Sequence, residues 1–104
     1  WLQARDFFSP SFEVLRDSHL VSVPPSALVQ GDIVFLHEGL LAPCDLRILV
    51  TVQGTLMESA PLGSEDIDVR ACTTECTSSE IRNSRNIILK DSWILCGSLA
   101  GVAI

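Results

Sequence analysis

Three carboxylates in ten residues are the first feature of this chain that could do chemistry. "MESAPLGSED", residues 57–66, carries Glu58, Glu65 and Asp66 around a turn built on Pro61 and Gly63. A carboxylate held by a tight glycine turn can take a proton from water or receive a cation. It can also do no more than keep a surface loop in water. The other reactive side chains are sparse. Of the cysteines, only Cys72 and Cys76 are closely spaced, as C-x₃-C with no second pair, while Cys44 and Cys96 lie in apolar surroundings that suit small buried hydrophobes. Structural zinc usually takes two such pairs, so no metal site is expected. His19 and His37 are the only histidines, and there is no G-x-S-x-G elbow, P-loop or G-x-G-x-x-G. A nucleophilic triad and the standard nucleotide cradles are therefore not expected.

Charge narrows the partners. The chain has 104 residues and a net charge of −6. Residues 58–80 hold six acidic side chains against Arg70 alone, so nearly all the excess sits on one segment. Phosphate backbones need a basic stripe, and none is present, so nucleic acid is not an expected partner. No apolar run approaches the roughly 18 residues of a membrane-spanning helix. There is no disulfide framework of the secreted kind, which points to a reducing compartment. The absence of an initial Met and the apolar ending "GSLAGVAI" suggest a piece of a longer protein.

The elements that must position these residues are mostly strands. "LQARDFF" has helical spacing at Leu2, Arg5 and Phe8, and Ser9-Pro10 stops it. "FEVLR" (12–16) and "HLVSV" (19–23) alternate around Asp17-Ser18, a two-residue hairpin signal. The double proline at 24–25 breaks the chain before "DIVFLH" (32–37) and "LRILVTV" (46–52), the latter apolar enough for a central strand. "NIILK" (86–90), "SWILCG" (92–97) and "LAGVAI" (99–104) also favour strand, and residues 71–85 form a polar loop with room for one helical turn. Short strands punctuated by Gly and Pro predict an all-β sandwich or barrel.

Four segments, in order, resemble the actuator domain of P-type ATPases. "SALVQGDIVFLHEG" is similar to that family's L-V-x-G-D-(I/V)-V element, and "APCDLRIL" to its P-A-D-x-R-(I/L)-(I/L) segment, with Cys44 in the usual Ala place. "VLRDSHLVSV" resembles V-x-R-(D/N)-G-x-x-x-x-(I/V), with Ser18 in the Gly place. "RNIILKDSWILCGSLAGVAI" resembles N-x-x-F-x-G-T-x-(I/V)-x-x-G-x-x-x-G-(I/V)-V, with Asp91-Ser92 where Gly-Thr is usual. The surroundings look most like the branch of sodium/potassium, proton/potassium and calcium pumps. An unrelated β-sandwich binding domain would need four coincidental matches.

The resemblance implies a mainly β, distorted sandwich or jelly-roll-like domain with a short N-terminal helical piece. Residues 1–11 would end a preceding helix or linker and 12–104 would form the β domain. It implies a cytosolic module of a multi-pass membrane protein, with the phosphorylation domain and membrane helices of the same chain as partners. It implies no cofactor here, with ATP and magnesium bound by other domains. In this family a T-G-E-S loop is carried to an aspartyl phosphate, where its Glu activates the attacking water. Here Leu62, Gly63, Ser64 and Glu65 occupy those four places, so only the Gly is retained and Ser64 stands where the water-activating Glu should be. Three outcomes stay open for the base: Glu65 substitutes after a one-residue slip, Glu58 reaches in, or the base is lost from an actuator that keeps its scaffold; the alternative function is a catalytically inactive regulatory or interaction module of a pseudo-pump. Gly31 and Asp32 are expected to set a turn and a strand entry.

Overall fold

The structure is a computed structural model and describes residues 11–59, 68–79 and 84–104. The N-terminal helical piece expected over residues 1–11 therefore falls almost wholly outside the described residues. Among them the chain forms nine strands: β1 Phe12–Arg16, β2 His19–Val23, β3 Ile33–His37, β4 Leu46–Thr51, β5 Leu56–Ser59, β6 Asp68–Ala71, β7 Ile87–Ile88, β8 Trp93–Cys96 and β9 Ser98–Ala103. A 3-10 turn, Pro25–Ala27, follows the double proline.

All pairings are antiparallel, in two sheets: β2-β1-β3-β9-β4-β7 and β6-β5-β8. Period-2 alternation turns Val14, Val34, Leu36, Leu46, Ile48, Leu99 and Ala103 of the large sheet inward, where they meet Met57 and Ile94 of the small one. Two facing sheets around one core make a mainly β sandwich. Register shifts between Ile48 and Val50 and between Leu56 and Met57 distort it.

The sheets separate at two glycine corners. β4 leaves the large sheet through Gly54 (φ +89), and β8 passes into β9 through Gly97 (φ +85). Thr55, 1% exposed, joins the corners: its Oγ1 lies 2.6 Å from the Val52 carbonyl and accepts the Ser98 N–H at 3.2 Å. A Cβ on Gly97 would stand 2.2 Å from Thr55 Oγ1 and 2.8 Å from Thr55 Cα. The corner is thus closed to any other residue, both by space and by backbone angle.

Asp17 and Ser18 form the expected hairpin, with φ of +50° and +63°, the left-handed pair of a type I′ turn. Asp91 also has a positive φ, +70°. Ser18 and Asp91 are two positions where the resemblance places Gly and this chain has another residue. Both adopt positive φ, at about 1 kcal/mol each for a side chain in that region.

Several expectations need correction. "MES" opens as strand, because Met57 is buried against Ile94, and β6, with two polar and two apolar residues, was not foreseen. The helical turn allowed for within residues 71–85 lies partly outside the described residues; 71–79 and 84–85 contain none. "NIILK" contributes only Ile87 and Ile88 to the ladder. β4 is central as expected, between β9 and β7, although its outer face exposes Leu49 and Val50. Cys44 and Cys72, and not Cys96, pack against the core; the Cys96 thiol donates to the Gly54 carbonyl at 3.3 Å.

Two substitutions test this reading of the corners and turns by thermal or urea unfolding. Gly97→Ala is expected to destabilise by about 3 kcal/mol or more, from positive φ and overlap together. Ser18→Gly is expected to stabilise by about 0.5–1 kcal/mol, the left-handed strain relieved less the entropy of the added glycine.

Candidate functional site

Residues 60–67, which contain Leu62, Gly63, Ser64 and Glu65, lie outside the described residues. Their position in the fold is nevertheless bounded on both sides. β5 and β6 pair as Leu56↔Ala71, Met57↔Arg70, Glu58↔Val69 and Ser59↔Asp68, so the segment is the connection at the end of one hairpin. β5 also pairs with β8, and Met57 (3% exposed) and Ile94 (0%) seat the hairpin on the core. The base of the hairpin is therefore anchored on its inner face and through β8. Glu58 is not in the connection. It sits within β5, on the face opposite Met57, between Val69 and Trp93.

Gly31 and Asp32 do set a turn and a strand entry. Gly31 has φ +95° and donates its N–H to the Ala103 carbonyl at 2.9 Å. Asp32 is 2% exposed, immediately before β3. It accepts Arg16 Nε at 2.9 Å, Arg16 Nη2 at 2.6 Å and the Val29 N–H at 3.0 Å. Arg16 Nη2 also donates to the Ala27 carbonyl at 2.9 Å. One bidentate pair thus ties the β1 end, the 3-10 turn and the β3 entry together. The guanidinium, chiefly through its hydrogen bonds, lowers the Asp32 carboxyl from its ordinary 3.8 to about 2. Sequence reasoning assigned Asp32 a turn but missed Arg16, sixteen residues away.

Among the described residues, the remaining reactive groups do not assemble a site. The Cys72 thiol is pushed up to about 11, and Cys44 is also raised, both by burial, which keeps them protonated at neutral pH. His19 is exposed beside the β1–β2 turn, and His37 ends β3 with Nδ1 3.0 Å from the Glu38 carbonyl oxygen. Among the described residues no three His, Cys, Asp or Glu side chains converge as metal ligands, and no helix is long and apolar enough to cross a membrane. The polar segment after β6 is pinned by side chains: Ser84 Oγ accepts the Thr77 N–H at 3.1 Å and bonds Asn86 Oδ1, and Thr77 Oγ1 accepts the Arg85 N–H at 2.9 Å. A cleft of about 600 Å³ lies at the outer surface of β3 and β9, lined largely by apolar groups such as Phe35, Val50 and Val52.

The chain matches the P-type ATPase actuator domain over residues 6–103, and it belongs to that family. It is 32% identical over 101 residues to calcium-transporting ATPase 1 of Bacillus cereus, covering 92% of this chain and 11% of that protein. Against potassium-transporting ATPase alpha chain 2 of Homo sapiens it is 31% identical over 91 residues, covering 88% and 9%. Calcium-transporting ATPase 1 of Lactococcus lactis is 32% identical over 95 residues, covering 89% and 11%. The chain thus spans about a tenth of the length of the curated relatives it matches.

The buried pair makes a pH prediction. Asp32 holds its proton more weakly folded than unfolded, so its contribution is complete above about pH 4 and is lost as pH falls toward about 2. Stability measured from pH 7 to pH 2 should fall in that window. Asp32→Asn, which leaves Arg16 without its carboxylate, should lower the melting midpoint at pH 7 by at least about 5 °C and flatten the acid limb. An unchanged acid limb would show that Asp32 does not carry it.

Proposed function

We propose that this chain is the actuator domain of an ATP-driven, cation-transporting P-type ATPase, on the cytosolic side of its membrane. Its task is to bring residues 62–65 to a phosphorylated aspartate on another domain of the same polypeptide, and to pass the resulting movement to the attached membrane helices. ATP and magnesium bind elsewhere in that polypeptide. The observation that carries this reading is the β5–β6 hairpin, anchored on the core at Met57 and Ile94 and carrying at its end the segment aligned with T-G-E-S.

Dephosphorylation requires water oxygen to bond phosphorus as the phosphorus–oxygen bond to the aspartate breaks, with a water proton passing to a base. A carboxylate at position 64 would take that proton. Ser64 can orient water through its hydroxyl but has neither the charge nor the proton affinity, and losing a general base costs about 10²–10⁴ in rate. Hydrolysis of the phosphoenzyme is therefore slow, with the rotating scaffold intact. If Glu65 has taken over, the pump turns over at an ordinary rate. If the parent forms no phosphoenzyme, the domain is a regulatory module.

Phosphoenzyme formation and decay in the full-length protein separate these cases. A slowly decaying phosphoenzyme that Ser64→Glu accelerates by about 10² or more supports the proposal. Rapid decay in the parent, stalled by Glu65→Ala, assigns the base to Glu65. No phosphoenzyme in any variant refutes the pump.

A further inference from the structure

A cleft of about 550 Å³ opens beside β6, the edge strand of the small sheet, and is lined by Val69, Arg70, Ala71, Thr77 and Arg85. Arg70 belongs to β6 and Arg85 to the segment before β7, so two arginines from separate parts of the chain meet at one cleft. Thr77 shares that cleft and is exposed. Its place there is fixed by three hydrogen bonds. The Thr77 N–H donates to Ser84 Oγ at 3.1 Å, Thr77 Oγ1 accepts the Arg85 N–H at 2.9 Å, and the Thr73 N–H donates to the Arg85 carbonyl at 3.3 Å.

The segment is also open to an enzyme. Residues 72–79 form no strand or helix, and side chains rather than a ladder hold them, so local opening is cheap. In sequence Thr77 has Glu75 two places before it and Glu80 three places after it, an acidic setting of the kind that acid-directed Ser/Thr kinases read. Its neighbours Ser78 and Ser79 share that setting but do not line the cleft.

We propose that Thr77 is a phosphorylation site and that Arg70 and Arg85 receive its phosphate. A protein kinase would supply the γ-phosphoryl group of ATP. The bond from Thr77 Oγ1 to phosphorus forms as the bond from phosphorus to the ADP oxygen breaks, and the hydroxyl proton passes to a base of the kinase. The product carries roughly two negative charges and three acceptor oxygens, which suit charge-assisted hydrogen bonds to both guanidinium groups. Charge argues against a dissolved anion in the same place, because nearly all the chain's excess of −6 lies on residues 58–80. A phosphate tethered to Thr77 overcomes that repulsion through its high effective concentration. The resulting bridge ties β6 to the segment before β7 and so restrains one arm of the hairpin whose connection is residues 60–67. The site stands whether or not the parent protein pumps ions.

Treating the full-length protein with casein kinase 2 and magnesium ATP, followed by tandem mass spectrometry and hydrogen exchange, tests this. Phosphate is expected on Thr77, and amide exchange over residues 68–71 and 84–86 should slow about tenfold on modification. Arg70→Gln and Arg85→Gln should keep the label and lose most of the slowing, while Thr77→Ser should keep both. No phosphate on Thr77 would overturn the proposal, as would a label that leaves exchange unchanged or a slowing indifferent to the two arginines. Equal slowing of the unmodified protein by inorganic phosphate alone would overturn it too, by making the cleft a site for a dissolved anion. The comparison of modified and unmodified parent needs no variant, so it is informative even if an arginine variant misfolds. Phosphothreonine survives hydroxylamine, which strips an aspartyl phosphate, so the result is read separately from any phosphoenzyme.

Discussion

The contact between Thr55 and Gly97 decides that this chain makes two sheets and not one. At that corner the hydroxyl of Thr55 approaches the Val52 carbonyl and accepts the Ser98 N–H, and Gly97 leaves no room for a side chain. Without it, β5 and β8 would have no reason to turn away from the ladder that β4 and β9 share. Because they do turn, Met57 and Ile94 face the large sheet and join its core, which anchors the base of the β5–β6 hairpin.

A second restraint works at the opposite end of the large sheet. Arg16 and Asp32 join strand, turn and strand entry in one bidentate contact with a buried carboxylate. Removing either partner leaves the other with unmet hydrogen bonds, which is why such pairs, once built, hold the local geometry firmly. The pair explains why a G-D sequence is tolerated at a strand entry: Gly31 supplies the left-handed turn and Asp32 a side chain that three donors require. Neither residue needs a part in the chemistry.

Much of the scaffold was legible in the sequence because its signals are local. The alternation of Phe12–Arg16 and His19–Val23, and the short polar turn between them, specify a hairpin without reference to the rest of the chain. The elements that were missed depend on distant partners. β5 joins two apolar residues to two polar ones, and Met57 is decisive only because Ile94 lies opposite; Arg16 declares its role only when Asp32 is folded beside it. The meeting of Arg70, Thr77 and Arg85 at one cleft is likewise invisible in sequence, since a polar segment held by side-chain hydrogen bonds brings them together. The candidate loop was legible through family resemblance alone. Nothing in its composition distinguishes a catalytic turn from a solvated one.

Ser18 and Asp91 hold left-handed backbone angles without being glycine. The same scaffold carries Ser64 where a carboxylate is expected, so the central claim is that the body of an actuator persists around a loop without its base at the aligned position. An experimental structure of the full-length protein trapped with beryllium fluoride tests that most directly. The account predicts the Ser64 hydroxyl facing the phosphate analogue, with the Glu65 carboxylate turned away from it. A Glu65 carboxylate hydrogen-bonded to the water in line for attack would contradict it.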